Sequence, residues 1–307
     1  MPLLRFVKDE IFMKRILILL LCALLLAGCS AKEPPAQIAA TTLPVYEFTS
    51  RIVDGTGITV TRLVTEEVSC LHDYSLNVRQ VKAAEAAECI VISGAGLEEF
   101  LDDLLEDADS VDASAGIPLL IPEEGHGHEA EEVHHADDGH NHEFDPHIWL
   151  SPTHAAIMAE NICNGLSARY PEHEDAFHTN HIALLRELEA LFAYGHEALA
   201  DLSCRDLITF HDGFAYFAGA FDLHILKAVE EESGREASAK ELIHLIEEVE
   251  HHSIPAIFTE KSGSVSAASI IARETGCRSF TLDMAMAGDS YFDAMYHNID
   301  TIREALS

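Results

Sequence analysis

The 307-residue chain holds 19 Lys or Arg against 53 Asp or Glu, a formal net charge of −34 at pH 7. A surface of that sign repels nucleic acid and anionic lipid and attracts cations, which excludes nucleic acid as a partner class. The ordered part, about 270 residues, is long enough for two domains with cores of their own.

In chain order, Met13-Lys14-Arg15 gives a short basic start, and Ile16 to Leu26 is an unbroken apolar run of eleven residues. That is signal-peptide length and too short to span a bilayer. Residues 1–28 are therefore read as a signal peptide beginning at Met13. Leu26-Ala27-Gly28-Cys29 resembles the lipobox of bacterial lipoproteins, which implies that Cys29 is diacylated and becomes the mature N-terminus. Residues 29–36, with two prolines, read as a lipidated tether. Removing 1–28 takes away four basic and two acidic residues, leaving 15 against 51, or −36. Beyond Cys29 the cysteines are Cys70, Cys89, Cys163, Cys204 and Cys277. They have no CxxC spacing, so a zinc ribbon is not indicated. An odd number leaves at least one thiol without an internal partner, and the disulfide pattern stays open.

Gln37 to Leu43 is β-like, and Val45 to Val53 forms a short helix before Asp54-Gly55. Ile58 to Val64 alternates as a strand does. Asn77 to Ala87 reads as an Ala-rich helix. Cys89 to Ser93 is a short buried strand, and Leu97 to Ala108 a helix after Gly94-Ala95-Gly96. Ser151-Pro152-Thr153 opens a helix to about Arg169. From Glu172 to about Ala200 runs one long helix, with its apolar stripe at Ile182, Leu185, Leu188, Leu191, Phe192, Gly195 and Leu199. At 1.5 Å per residue it spans roughly 40 Å, which suits a spine between lobes. His173, His178, His181 and His196 on it are read as surface histidines. The second half repeats the alternation: strand Asp206 to Phe210, helix Ala215 to Ala220, strand Leu223 to Val229, helix Ser238 to His252, strand Ile254 to Thr259, helix Val265 to Thr275, strand Arg278 to Leu282, helix Ser290 to Leu306. Strands alternating with helices imply parallel sheets covered on both faces. The fold class is α/β: two lobes, 37–170 and 204–307, each a parallel-rich sheet with flanking helices, joined by one spine helix at 171–203.

Residues 123–149 contain seven histidines, nine Asp or Glu and no Lys or Arg. Imidazole and carboxylate are ligands that borderline cations such as Zn²⁺ accept. His126, His128, His134, His135, His140 and His142 lie without apolar period in the loop 123–143, which reads as an auxiliary metal collector. His147, between Asp-Pro and Ile-Trp-Leu-Ser-Pro, lies where ordered structure resumes.

In open α/β sheets, ligands gather beyond the carboxyl ends of strands. His211 follows the strand ending at Phe210, and Asp283 the strand ending at Leu282. His72 lies in the loop after Val64, and His147 precedes the next helix. Three imidazoles and one carboxylate make a set that tetrahedral Zn²⁺ takes.

Cys70-Leu71-His72-Asp73-Tyr74, Asp145-Pro146-His147-Ile148-Trp149-Leu150-Ser151-Pro152, Phe210-His211-Asp212-Gly213-Phe214-Ala215-Tyr216, Ile257-Phe258-Thr259-Glu260 and Leu282-Asp283 with Gly288-Asp289-Ser290-Tyr291 together carry a family likeness. The chain resembles, over its whole mature length, the metal-specific solute-binding lipoproteins of bacterial ABC transporters, the cluster A-I group for zinc and manganese. The resemblance puts the metal ligands on His72, His147, His211 and Asp283. It implies that Glu260 orients a ligand histidine, and that Zn²⁺ is captured outside the membrane and delivered to an ABC permease and its ATPase. It further implies a monomer on a lipid anchor, with no nucleic-acid partner and no enzymatic activity. Cys70-Leu71 stands where the family has Asp-Pro, and Thr259-Glu260-Lys261-Ser262 lacks the usual Pro and aromatic. The alternatives are a manganese or iron receptor on the same scaffold, since harder cations favour carboxylate over a third imidazole, and a zinc hydrolase, which four protein ligands and no evident general base disfavour.

Overall fold

The computed structural model describes residues 36–66, 68, 71, 74–121, 144–230, 238–261 and 265–307. The signal peptide, Cys29, Cys70, His72 and the six collector histidines lie outside the described residues. Ala36–Ser307 forms one compact unit. It contains two four-stranded sheets, each wholly parallel.

The first sheet comprises β1 (Ile38–Ala40), β2 (Val60–Arg62), β3 (Cys89–Ile92) and β4 (Ser110–Asp112), in the order β2-β1-β3-β4. The first helix, α1 (Leu43–Ile52), places Leu43, Val45, Phe48 and Ile52 in the core. Next comes α2 (Val78–Ala86). Asn77 caps it in a full capping box: Asn77 Oδ1 accepts from Arg79 N and Gln80 N, and Asn77 N donates to Gln80 Oε1 at 2.8 Å. The expected twelve-residue helix Leu97–Ala108 is a correction. Only a 3₁₀ turn, Glu99–Leu101, and the single turn α3 (Asp102–Leu105) form there. Six acidic residues between 98 and 107, with no base among them, repel at helical spacing. Glu98 turns back instead to the end of β3. The short β4 was not foreseen.

Two long helices follow. Ser151 caps α4 (Pro152–Arg169) by accepting from His154 N. After a 3₁₀ turn at Pro171–His173 comes α5 (Glu174–Ala198), whose 25 residues span about 37 Å. Its buried positions are Phe177, His181, Leu184, Leu188, Leu191 and Gly195. Leu188, Leu191, Gly195 and Leu199 of the expected stripe are buried, whereas Ile182 is half exposed and Leu184 takes the core position near it. His181, read as a surface histidine, is buried at 9 % exposure. Gly195 is needed where Phe221 crosses, because a Cβ there would stand 2.2 Å from the Phe221 ring.

The second sheet comprises β5 (Asp206–His211), β6 (His224–Glu230), β7 (Ala256–Glu260) and β8 (Arg278–Leu282), in the order β6-β5-β7-β8. Around it run α6 (Ala215–Ala220), α7 (Ala239–His252), α8 (Val265–Thr275) and α9 (Tyr291–Leu306). A capping box opens α7: Ser238 Oγ accepts from Glu241 N, and Ser238 N donates to Glu241 Oε2 at 2.6 Å. One continuous core runs through both halves, from Phe48, Trp149 and Leu188 to Phe217, Phe258 and Tyr291. Cys89, Cys163, Cys204 and Cys277 are free thiols.

Both sheets have the same strand order, so each has a switch point between its two central strands. Ligands of open α/β sheets bind beyond the carboxyl ends of strands at such a point. In the first sheet it lies between β1 and β3, and Glu98 fills it. Its carboxylate accepts from Thr41 Oγ1 at 2.7 Å, Ser93 N at 2.7 Å and Gly94 N at 3.0 Å. In the second sheet it lies between β5 and β7, whose last residues are His211 and Glu260.

Candidate metal centre

His211 ends β5 with its ring buried, at 3 % exposure. His147 reaches the same place from the first half of the chain, on the turn before the 3₁₀ segment Ile148–Leu150, also at 3 % exposure. The two Nε2 atoms stand 3.2 Å apart. The ring planes are nearly perpendicular, 87°, with centroids 5.0 Å apart.

The other nitrogen of each ring faces a carboxylate. His147 Nδ1 lies 2.8 Å from Asp145 Oδ1, which also accepts from His147 N at 2.9 Å. His211 Nδ1 lies 3.7 Å from Glu260 Oε1. Asp145 and Glu260 are both buried. The Asp145 carboxylate at His147 Nδ1 keeps the proton there and leaves Nε2 with its lone pair, while Glu260 faces His211 Nδ1 at ion-pair distance. Two Nε2 lone pairs at 3.2 Å repel unless a proton or cation lies between them. Two imidazoles on tetrahedral Zn²⁺, at 2.0–2.1 Å each, hold their nitrogens about 3.3–3.4 Å apart.

The surroundings fix both rings. Tyr216, on α6 just after His211, donates to Asp145 O at 3.0 Å and accepts from Leu120 N at 2.9 Å. Trp149 Nε1 donates to Met284 O at 2.7 Å, and Tyr291 Oη donates to Trp149 O at 2.8 Å. Gly213 leaves room for the His211 ring, since a Cβ there would stand 2.8 Å from His211 Cδ2 and 2.7 Å from Met284 Cε.

Asp283 follows β8. Its backbone is held from both sides by Asn298: Asp283 N donates to Asn298 Oδ1, and Asn298 Nδ2 donates to Asp283 O, each at 2.7 Å. Asp283 Oδ1 accepts from Ala285 N at 2.8 Å, and Asp283 Oδ2 pairs with Lys261 Nζ at 2.5 Å. The Asp283 carboxylate therefore sits in an ion pair. Among the described residues it does not come within 4.8 Å of both imidazole donors. His147 and His211 are brought together, Glu260 stands behind His211, and Asp283 follows β8, the strand beside β7, but is engaged by Lys261. His72 lies outside the described residues.

Sequence reasoning missed Asp145, Lys261, Asn298 and Tyr216. Asp145 had a readable signal, a carboxylate two residues before a histidine across a proline. Lys261 and Asn298 had none.

A family model described as ZnuA, the periplasmic component A of a zinc-uptake complex, matches residues 38–305. The chain belongs to this family. The zinc-binding lipoprotein AdcA of Streptococcus pneumoniae is 31 % identical over 310 residues, covering 95 % of this chain and 61 % of the relative. The zinc-binding protein AdcA of Streptococcus pyogenes is 30 % identical over 292 residues, covering 88 % of this chain and 56 % of the relative. The chain thus spans about three fifths of the length of these curated relatives. A ZnuA crystal structure superposes with TM-score 0.74 at 28 % identity, over 89 % of this chain and 100 % of that one. Zn(II)-bound AdcA of Streptococcus pneumoniae superposes with TM-score 0.71 at 27 % identity, over 88 % of this chain and 57 % of that one. The ZnuA-family fold is the two-lobed α/β arrangement expected from the strand–helix alternation, with the long helix α5 at its middle.

Proposed function

We propose that the chain is an extracytoplasmic zinc receptor that captures Zn²⁺ at His147 and His211 and delivers it to an ABC permease and its ATPase. The observation that carries this reading is the buried pair of facing Nε2 atoms at 3.2 Å, each ring backed by a carboxylate. His72 and Asp283 complete the ligand set. Asp283 joins by exchanging Lys261 for the cation, and Glu260 orients His211. The histidines at 126, 128, 134, 135, 140 and 142 gather zinc weakly and feed the tight site. Residues 37–170 and 204–307 act as lobes on the spine 171–203, and Cys29 anchors the monomeric receptor to the outer face of the membrane. The names of the AdcA relatives and the zinc in one superposed structure support the choice of cation.

Neutral imidazoles suit Zn²⁺, whereas Mn²⁺ and Fe²⁺ bind the same nitrogen and oxygen donors less tightly. Metal analysis of untagged protein, followed by competition titration with Zn²⁺ and Mn²⁺, tests the reading. Zn²⁺ is expected to bind the His147–His211 centre more tightly than Mn²⁺ does. Manganese as the tighter ligand would overturn it.

A further inference from the structure

We propose that Cys163, His178 and His181 form a second metal site, for a borderline divalent cation such as Zn²⁺, between α4 and α5. Cys163 comes from the second half of α4, and the two histidines from the first turns of α5. None of the three lies at a strand end, and none belongs to the His147–His211 centre.

One donor atom from each residue lies within 4.8 Å of the other two, and among the described residues no other group of His, Cys, Asp or Glu does so. Cys163 Sγ stands 3.8 Å from His178 Nδ1. Tetrahedral Zn²⁺, with Zn–S about 2.3 Å and Zn–N about 2.0–2.1 Å, holds sulfur and nitrogen about 3.5–3.6 Å apart. The donors are therefore within a small side-chain adjustment of coordination. His178 and His181 are three residues apart on a helix, so they share a face.

His181 is the second, independent observation. Its ring is nine-tenths buried, and its Nε2 has no hydrogen-bond partner among the described residues. A weak thiol–imidazole hydrogen bond would account for Cys163 with His178, but it leaves that buried nitrogen unsatisfied. A buried polar atom without a partner is rare and points to an unseen ligand. His178 supplies the remaining parts. Its side chain is about half exposed and gives the ion a way in. Its Nε2 faces Glu174 Oε1 at 3.8 Å, leaving Nδ1 toward the sulfur. A carboxylate behind a ligand imidazole orients it and raises its basicity. Coordination replaces the Cys163 thiol proton, which leaves to solvent, so the metal takes a thiolate and two neutral imidazoles. A solvent molecule takes the fourth position at the exposed side. A bound ion then ties α4 to α5 beside the turn that joins them.

Cobalt distinguishes this site from the other centre, because a thiolate ligand gives Co²⁺ a charge-transfer band in the near ultraviolet and imidazoles do not. The full chain, with thiols reduced, is titrated with Co²⁺ and back-titrated with Zn²⁺. The band should appear in the wild-type protein and be displaced by Zn²⁺. It should persist in Cys70→Ser and in the double variant His147→Ala/His211→Ala, and vanish in Cys163→Ser. His181→Gln and His178→Ala should each weaken Co²⁺ at this band by at least tenfold, the low end of losses on disturbing a metal's immediate surroundings. His178 is exposed, so His178→Ala keeps the test valid if Cys163→Ser does not fold. No band in the wild-type protein, a band surviving Cys163→Ser, or unchanged affinity in His178→Ala would each overturn the site. Loss of the band in the His147→Ala/His211→Ala variant would assign it to the other centre and overturn the site as well.

Discussion

Asp145→Ala removes the group that fixes the His147 ring of the proposed zinc site while leaving both imidazoles in place. Asp145 Oδ1 receives two bonds from one residue, His147 N at 2.9 Å and His147 Nδ1 at 2.8 Å, and all the partners are buried. Without it the His147 ring is free to take the other tautomer and to rotate away from His211. Loss of such a carboxylate costs a metal site roughly 10–100-fold in affinity, or about 1.4–2.7 kcal/mol. Folding should also suffer, by about 1–3 kcal/mol, because a buried N–H is left without an acceptor. Competition against a chromophoric chelator reads the first quantity, and denaturant unfolding of the metal-free protein reads the second. Asp145→Asn, which keeps one acceptor oxygen, should fall between wild type and alanine in both. Wild-type zinc affinity in Asp145→Ala would refute the claim that this carboxylate sets the His147 tautomer.

Three further outcomes follow from other parts of the molecule. Burial pushes Glu98 up from 4.5 to about 7, against three hydrogen bonds that favour its ionised form. The folded state therefore binds a proton that the unfolded state has lost between pH 4.5 and about 7. Stability from this group is fully present below pH 4.5 and falls by about 3 kcal/mol as pH rises through that window. Urea unfolding of wild type and Glu98→Gln at pH 5 and pH 7.5 measures it; an identical pH dependence in both proteins would contradict the assignment. Deleting residues 124–142 should remove weak zinc equivalents and leave one tight site, since a loop that must be ordered on binding loses affinity. Loss of the tight site in calorimetry of the deletion would show that feeder and site are not separate. His211→Glu should narrow the gap between zinc and manganese with zinc still ahead, as the ligand preferences of the two ions require; a wider gap in the same competition assay would count against His211 as the selector.

The second half of the chain was the more legible. Ser238 with Glu241 and Ser290 with Asp293 mark helix starts by cap chemistry that the sequence states outright. The strands of the second sheet are short apolar runs bounded by polar loops, and each appears within two residues of its expected place. Leu97 to Ala108 misled because its apolar spacing is helical, whereas its acidic load and the pull of Ser93 and Gly94 on Glu98 are not visible as a period. The α5 stripe was right from Leu188 on but misjudged in its first turns, where Leu184 and a histidine at 181 take the core positions and Ile182 and Leu185 do not. The strand-end rule put His211 at the end of β5 and Asp283 directly after β8, and the structure has both there. The rule could not show that Lys261 holds Asp283, because that pairing depends on β7 and β8 lying side by side in the register that pairs Glu260 with Leu282. The Cys163–His178–His181 group was hidden for the same reason: its members are fifteen and eighteen residues apart, on two helices whose facing rows depend on the rotation of α5.

The central claim is that the facing imidazoles of His147 and His211 hold the zinc. Competition titration of His211→Ala beside wild type, with the circular dichroism of both recorded, tests it most directly. The account predicts an intact fold and a zinc affinity lower by at least the roughly 10–100-fold that follows loss of a mere supporting group. Unchanged zinc affinity in the folded variant would remove His211 from the site and contradict the account.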